Sequence, residues 1–157
     1  MLRILEIYHH YMSTISFRSA DRSLQMSNKT IAKEVIEKLF INEKGQLGSL
    51  TYIFCSDDFL LQMNRQYLKH DFYTDIITFG LSEPGEPIEA EVYISIDRVK
   101  ENAKQRRLSF QNELCRVLFH GALHLCGYKD KKKSEIILMR AKEDQYLRLF
   151  EKRLTNA

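Results

Sequence analysis

The chain has 157 residues, 44% hydrophobic and 29% charged, with a formal net charge of +3 and a pI near 8.7. That length supports one domain with a sizeable core and excludes two ordinary ones. Two prolines and six glycines exclude long linkers, and no run approaches the ~20 apolar residues that span a bilayer, so no membrane partner is expected.

Residues 1–12 carry Arg3 but also Glu6, His9 and His10, a mixture unlike a secretory signal. They are expected to lie outside the fold, either as a helical extension or because the true start is Met12, which leaves 13–157 as the domain. Three cysteines, Cys55, Cys115 and Cys126, show no framework spacing and fit buried thiols in a reducing cytoplasm.

Thr14–Phe17 reads as a short strand and Ser27–Phe40 as an amphipathic helix, with Ile31, Val35, Ile36, Leu39 and Phe40 on one side. Ser49–Cys55 alternates as a strand. Ser56-Asp-Asp is a helix start, since the hydroxyl caps free amides and the acids suit the dipole; that helix runs to about Tyr67. Ile76–Leu81 and Glu91–Ile96 are strands around a Ser82–Pro87 loop, the second with Val92, Ile94 and Ile96 on one face. Asp97 is expected to cap a helix to about Arg107. Ser109 starts the next, which ends near Cys126 with Gly127 as its left-handed stop. A last helix covers Ser134–Arg153. The order β-α-β-α-β-β-α-α-α predicts a single α+β domain with a four-stranded mixed sheet.

Residues 114–127 are apolar almost all round, so that helix is buried. His120 and His124 lie four positions apart and project from one side, about 40° apart at 3.6 residues per turn. Two readings of the pair stand: core histidines bonded to carbonyls or carboxylates, or a metal site. Gly127 lets the chain fold back and bring Asp130 to the histidine face, giving H-x-x-x-H-x-x-G-x-x-D. Three protein ligands would leave room for a reactive water. Cys126 lies about 200° round from His124, and Cys115 is on the far side from His120, so both read as core packing.

Helical zinc peptidases place a general-base glutamate after the first histidine; here that position is Gly121. Gly121 either leaves open space beside a metal or allows close packing, and hydrolysis of something other than peptide is favoured. Lys129, Lys131, Lys132 and Lys133 flank Asp130, and Arg65 and Lys69 sit near the end of an earlier helix. As a solvated loop they need no function; beside a metal, a cationic rim suits a phosphodiester.

The sequence resembles the YbeY-type family of bacterial metal-dependent endoribonucleases. The resemblance spans roughly Ser49 to Glu143 and is anchored by His120-Gly-Ala-Leu-His-Leu-Cys-Gly-Tyr128. Asn64, Tyr67, Thr74-Asp-Ile-Ile-Thr-Phe79, Glu91-Val-Tyr-Ile-Ser95, Glu113, Met139 and Glu143 support it. It implies a zincin-like α+β fold with Zn2+ at the three-ligand site and single-strand-specific RNA cleavage. It further implies action on ribosomal RNA in 16S 3′-end maturation and ribosome quality control on the small subunit, without a nucleotide cofactor. The family usually has a third histidine at Asp130, aspartate at Lys129, arginine at Leu68, and glycine-aspartate at Ala90-Glu91. A carboxylate ligand hardens the set and widens the choice of metal toward Mn2+ or Fe2+.

The reading is a metal-dependent endoribonuclease in which His120, His124 and Asp130 hold the metal and Arg65 and Lys69 orient the RNA backbone. Glu113 and Glu143 stand as groups orienting the imidazoles or as salt bridges. The rivals are a ribosome-assembly factor with a structural metal and a metallopeptidase.

Overall fold

The computed structural model describes residues 13–157, so the expected extension at residues 1–12 lies outside the described residues. Four strands, β1 (Thr14–Ser19), β2 (Leu47–Cys55), β3 (Ile76–Gly80) and β4 (Ile88–Ser95), form one sheet in the order β1-β2-β4-β3. β1, β2 and β4 run parallel, and β3 is antiparallel to β4. This mixed direction follows from connectivity: helices carry the chain between parallel neighbours, and a short loop joins β3 to β4.

The register places Ile15 beside Leu50, Phe17 beside Tyr52, Tyr52 beside Val92 and Phe54 beside Ile94. Those side chains share one face, and α1 (Lys29–Asn42) and α4 (Phe110–Leu125) bury their apolar sides in the same core. α5 (Lys133–Thr155) adds Met139, Tyr146, Leu147 and Phe150. The opposite face carries a smaller cluster of Cys55, Leu60 and Ile77, with Phe59 and Met63 from α2 (Asp57–Leu68). Tyr52 is fully buried and donates its hydroxyl to the Leu118 carbonyl of α4 at 2.8 Å, so the sheet and the histidine helix meet through a satisfied polar contact.

The helix starts follow capping chemistry. Ser56 Oγ accepts from the Phe59 amide and Ser109 Oγ from the Asn112 amide, each at 3.1 Å. The expected cap at Asp97 is corrected. Ser95 ends β4 and accepts from the Arg98 amide at 3.1 Å, so α3 begins at Ile96 and runs to Arg106. Ile96 is therefore the first helical residue and not the end of the strand face. Asp97 instead accepts the Asp57 amide at 3.0 Å, which ties two helix starts together.

Candidate metal centre

α4 stops by a Schellman motif. The Tyr128 amide bonds the Leu123 carbonyl and the Gly127 amide bonds the His124 carbonyl, at 3.1 and 3.0 Å, with Gly127 at φ +96°. A residue with a Cβ is strained at that φ, so the glycine is what lets the chain reverse. The reversal brings Asp130 back to the histidines, as the spacing predicts. His120, His124 and Asp130 each offer one donor atom, all within 4.8 Å of one another.

The hydrogen bonds fix which ring atoms converge. His120 Nδ1 lies 2.7 Å from Glu143 Oε1, and His124 Nδ1 lies 2.9 Å from the Tyr128 carbonyl oxygen. A carbonyl only accepts and an ionised carboxylate only accepts, so in the neutral rings both Nδ1 atoms carry the proton. Both Nε2 lone pairs then point inward. They stand 2.9 Å apart, and Asp130 Oδ2 is 3.3 Å from each. Three acceptors with no hydrogen between them repel unless a proton or a cation lies among them.

A tetrahedral ion with bonds of about 2.0–2.1 Å separates its ligand atoms by roughly 3.3–3.4 Å. Both carboxylate edges match that span, and the nitrogen pair needs to open by only a few tenths of an ångström. The donor set therefore fits a divalent ion. It supplies two neutral imidazoles and one anionic oxygen, and no fourth residue joins the cluster among the described residues.

Support comes from α5. Glu143 is buried and accepts from Arg116 Nη1 at 2.8 Å as well as from His120. Burial favours its neutral form, but the bonds from His120 and Arg116 outweigh this and hold its carboxyl below the ordinary value. For His120, burial favours the neutral ring, yet the Glu143 bond and charge, with Asp75 and Asp130, raise its value. Glu113, the other carboxylate expected here, pairs instead with Arg106 Nη1 at 3.1 Å. The pair joins a buried carboxylate to an exposed guanidinium and does not touch the imidazoles. Arg116 is not singled out by the motif, although 116, 120 and 124 repeat every four residues on one helix face.

Both neighbouring cysteines stay out of the cluster. Burial pushes the Cys115 thiol up to about 12, and burial with the Glu43 charge does the same to Cys126. A protonated thiol is a poor ligand. Gly121 is settled as a packing position: a Cβ there would meet Ile76 Cδ1 at 2.9 Å and Val92 Cγ1 at 3.1 Å. The cationic residues are more scattered. Arg65 pairs with Asp71, and Lys69 is the left-handed residue that ends α2. Lys129 lines a separate cavity of about 400 Å3 with Glu43, Cys126, Tyr128 and Leu138. Lys131 and Lys132 donate their amides to Glu135 at 3.1 and 3.0 Å, opening α5. Arg140, also not singled out by the motif, lines a cavity of about 240 Å3 together with His120, Asp130, Ile136, Met139 and Glu143.

A mixed α+β sheet backed by a histidine-bearing helix, with a carboxylate returned past a glycine, defines a zincin-like hydrolase scaffold. The profile of one family, Endoribonuclease YbeY, matches residues 14–151. The chain belongs to that family. It is 49% identical over 136 residues to Endoribonuclease YbeY of Cytophaga hutchinsonii, covering 87% of this chain and 95% of that protein. It is 48% identical over 115 residues to the Flavobacterium psychrophilum protein of that name, covering 73% and 81%. The solution structure of TM1509 from Thermotoga maritima superposes with a TM-score of 0.62 at 26% identity, over 90% of this chain and 92% of that one.

Proposed function

We propose that this chain is a metal-dependent endoribonuclease that cuts single-stranded RNA in ribosomal RNA processing. The reading extends to 16S 3′-end maturation and ribosome quality control, with the small ribosomal subunit as partner, the cytoplasm as location and residues 13–157 as the working domain. It rests on family membership and on one observation: His120 Nε2, His124 Nε2 and Asp130 Oδ2 converge within 3.3 Å of one another, while Glu143 and the Tyr128 carbonyl engage both Nδ1 atoms.

His120 Nε2, His124 Nε2 and Asp130 Oδ2 are the atoms that would hold the ion, with Zn2+ as the first candidate and Mn2+ or Fe2+ as alternatives that the hard carboxylate admits. When bound, the ion supplies Lewis acidity at a phosphoryl oxygen and makes water a stronger acid. The protein's part is orientation. Glu143 fixes the tautomer and tilt of His120, the Tyr128 carbonyl does so for His124, and Arg116 keeps Glu143 ionised. Arg65 and Lys69 are retained as proposed backbone contacts, Arg65 after release from Asp71.

A structural ion is normally closed by four protein ligands, so a three-donor cluster speaks against a purely architectural metal. The peptidase alternative needs a carboxylate at position 121, where Ile76 and Val92 take up the space. The deciding experiment compares cleavage of single-stranded and duplex RNA by metal-loaded wild type and by His120→Ala. Cleavage confined to single strands and lost in the variant is expected. Equal residual cutting by both proteins would point to a contaminating nuclease and remove the enzymatic reading.

A further inference from the structure

The cavity beside His120 has one wall made by a single face of α5. Ile136 and Arg140 are one turn apart on that helix, as are Met139 and Glu143. Met139 and Glu143 are buried and form the floor. Ile136 and the Arg140 side chain, 46% and 47% exposed, form the rim. Arg140 is the one Lys or Arg among the residues that line this cavity.

Arg140 is held, but only at one corner. Its Nη1 donates to Glu143 Oε2 at 3.3 Å, its sole hydrogen bond among the described residues. Glu143 is bound more tightly by Arg116 at 2.8 Å and His120 at 2.7 Å, so the anchor does not depend on Arg140. A guanidinium fork has five donors, and four here are uncommitted. Such a fork suits the paired oxygens of a phosphate, and pinning one edge reduces the rotamer freedom lost on binding. The apolar rim at Ile136 suits the sugar or the face of an unpaired base, which a duplex keeps stacked. One carboxylate touches both His120 and Arg140, so Glu143 links the donor cluster to the fork.

We infer that the α5 wall is a nucleotide subsite: Arg140 binds a phosphate of the single-stranded RNA lying across the cleft, and Ile136 packs on the adjoining ribose or base. This rests on the RNA-cleaving reading of the same cleft and adds the groups that grip the strand.

The test uses zinc-loaded wild type, Arg140→Ala and Arg140→Lys with a short fluorescein-labelled single-stranded RNA over a range of KCl concentrations. Binding is followed by anisotropy, cleavage by KM and kcat, and zinc per chain by elemental analysis. Arg140→Ala should weaken binding and raise KM by about ten- to a hundredfold, as expected for a lost charge-assisted contact. Its plot of log affinity against log salt should be shallower by about 0.7, one phosphate contact fewer on a single strand. Arg140→Lys should recover the slope but only part of the affinity, because it keeps the charge without the fork. Zinc content should equal wild type in both.

A wild-type KM and salt slope in Arg140→Ala would overturn the subsite. So would loss of zinc together with binding that lysine does not rescue, since the residue would then only support the cluster. The two readings separate cleanly. Cleavage that needs His120 but ignores Arg140 sinks the subsite alone. A salt-slope change with no cleavage by wild type sinks the nuclease reading alone.

Discussion

Glu43 and Tyr128 stand 85 positions apart and are joined by a 2.5 Å hydrogen bond from the phenol to the carboxylate. The backbone carbonyl of the same tyrosine receives the His124 Nδ1 proton. Through this residue the end of α1 steadies the tautomer of a candidate ligand, a support invisible to any spacing rule. Glu43 also accepts from Tyr146 Oη at 2.5 Å and Lys142 Nζ at 2.9 Å, both on α5.

The cluster predicts an acid response. Burial disfavours the charged Glu43, but the donors Tyr128, Tyr146 and Lys142 outweigh it and hold its carboxyl below the ordinary value of 4.5. The nearby Cys126 thiol is pushed up and stays neutral. A carboxyl lowered in the folded state contributes stability that is fully present above 4.5 and is lost as pH falls through the lowered value. Urea midpoints of wild type should therefore drop below pH 4.5 more steeply than those of Glu43→Gln, which lacks the titration. Parallel curves would show that Glu43 carries no such linkage.

Asp130→Ala should abolish tight metal binding, and Asp130→Asn should only weaken it, because the amide oxygen keeps a donor without the charge. Equilibrium dialysis against Zn2+ measures both. Full zinc occupancy in the alanine variant would remove Asp130 from the ligand set.

Glu143→Gln leaves the volume of the residue but takes the anionic acceptor from His120. Metal affinity, read by competition with a chelating dye, is expected to fall about 10- to 100-fold. An unchanged affinity would mean that packing alone orients the ring.

Gly121→Ala should destabilise by about 1–3 kcal/mol, the range for overfilling a packed core, since its Cβ falls 2.9 Å from Ile76 Cδ1 and 3.1 Å from Val92 Cγ1. Urea unfolding reports this directly. A wild-type midpoint would show that both side chains yield freely.

The architecture was legible wherever chemistry is local. Alternation marked β2 and β4, hydroxyls marked the starts of α2 and α4, and Gly127 marked the turn that returns Asp130. α3 starts two residues before the expected cap because Ser95 and Asp97 are both good caps, and only the burial of Ile96 and Ser95 against the fold chooses between them. In the site, the two histidines and the aspartate sit within eleven positions, so periodicity reaches them. Glu43 and Arg116 gain their roles from partners on other helices, and no spacing rule links those partners. Arg140 pairs with Glu143 three positions along its own helix, but only the fold sets that pair beside His120. Glu113 and Glu143 looked equivalent in the sequence. They part company because Arg106 claims one and His120 the other.

The bareness of position 121 has a bearing on chemistry. The helix rests on the strands with so little clearance that Ile76 and Val92 fill the place a side chain would take. An acid at this position would have to displace Ile76 Cδ1 and Val92 Cγ1 before it could face a metal, so peptide hydrolysis on this scaffold asks for repacking as well as a new side chain. Close packing at one helix position thus bears on which chemistry the cleft can host.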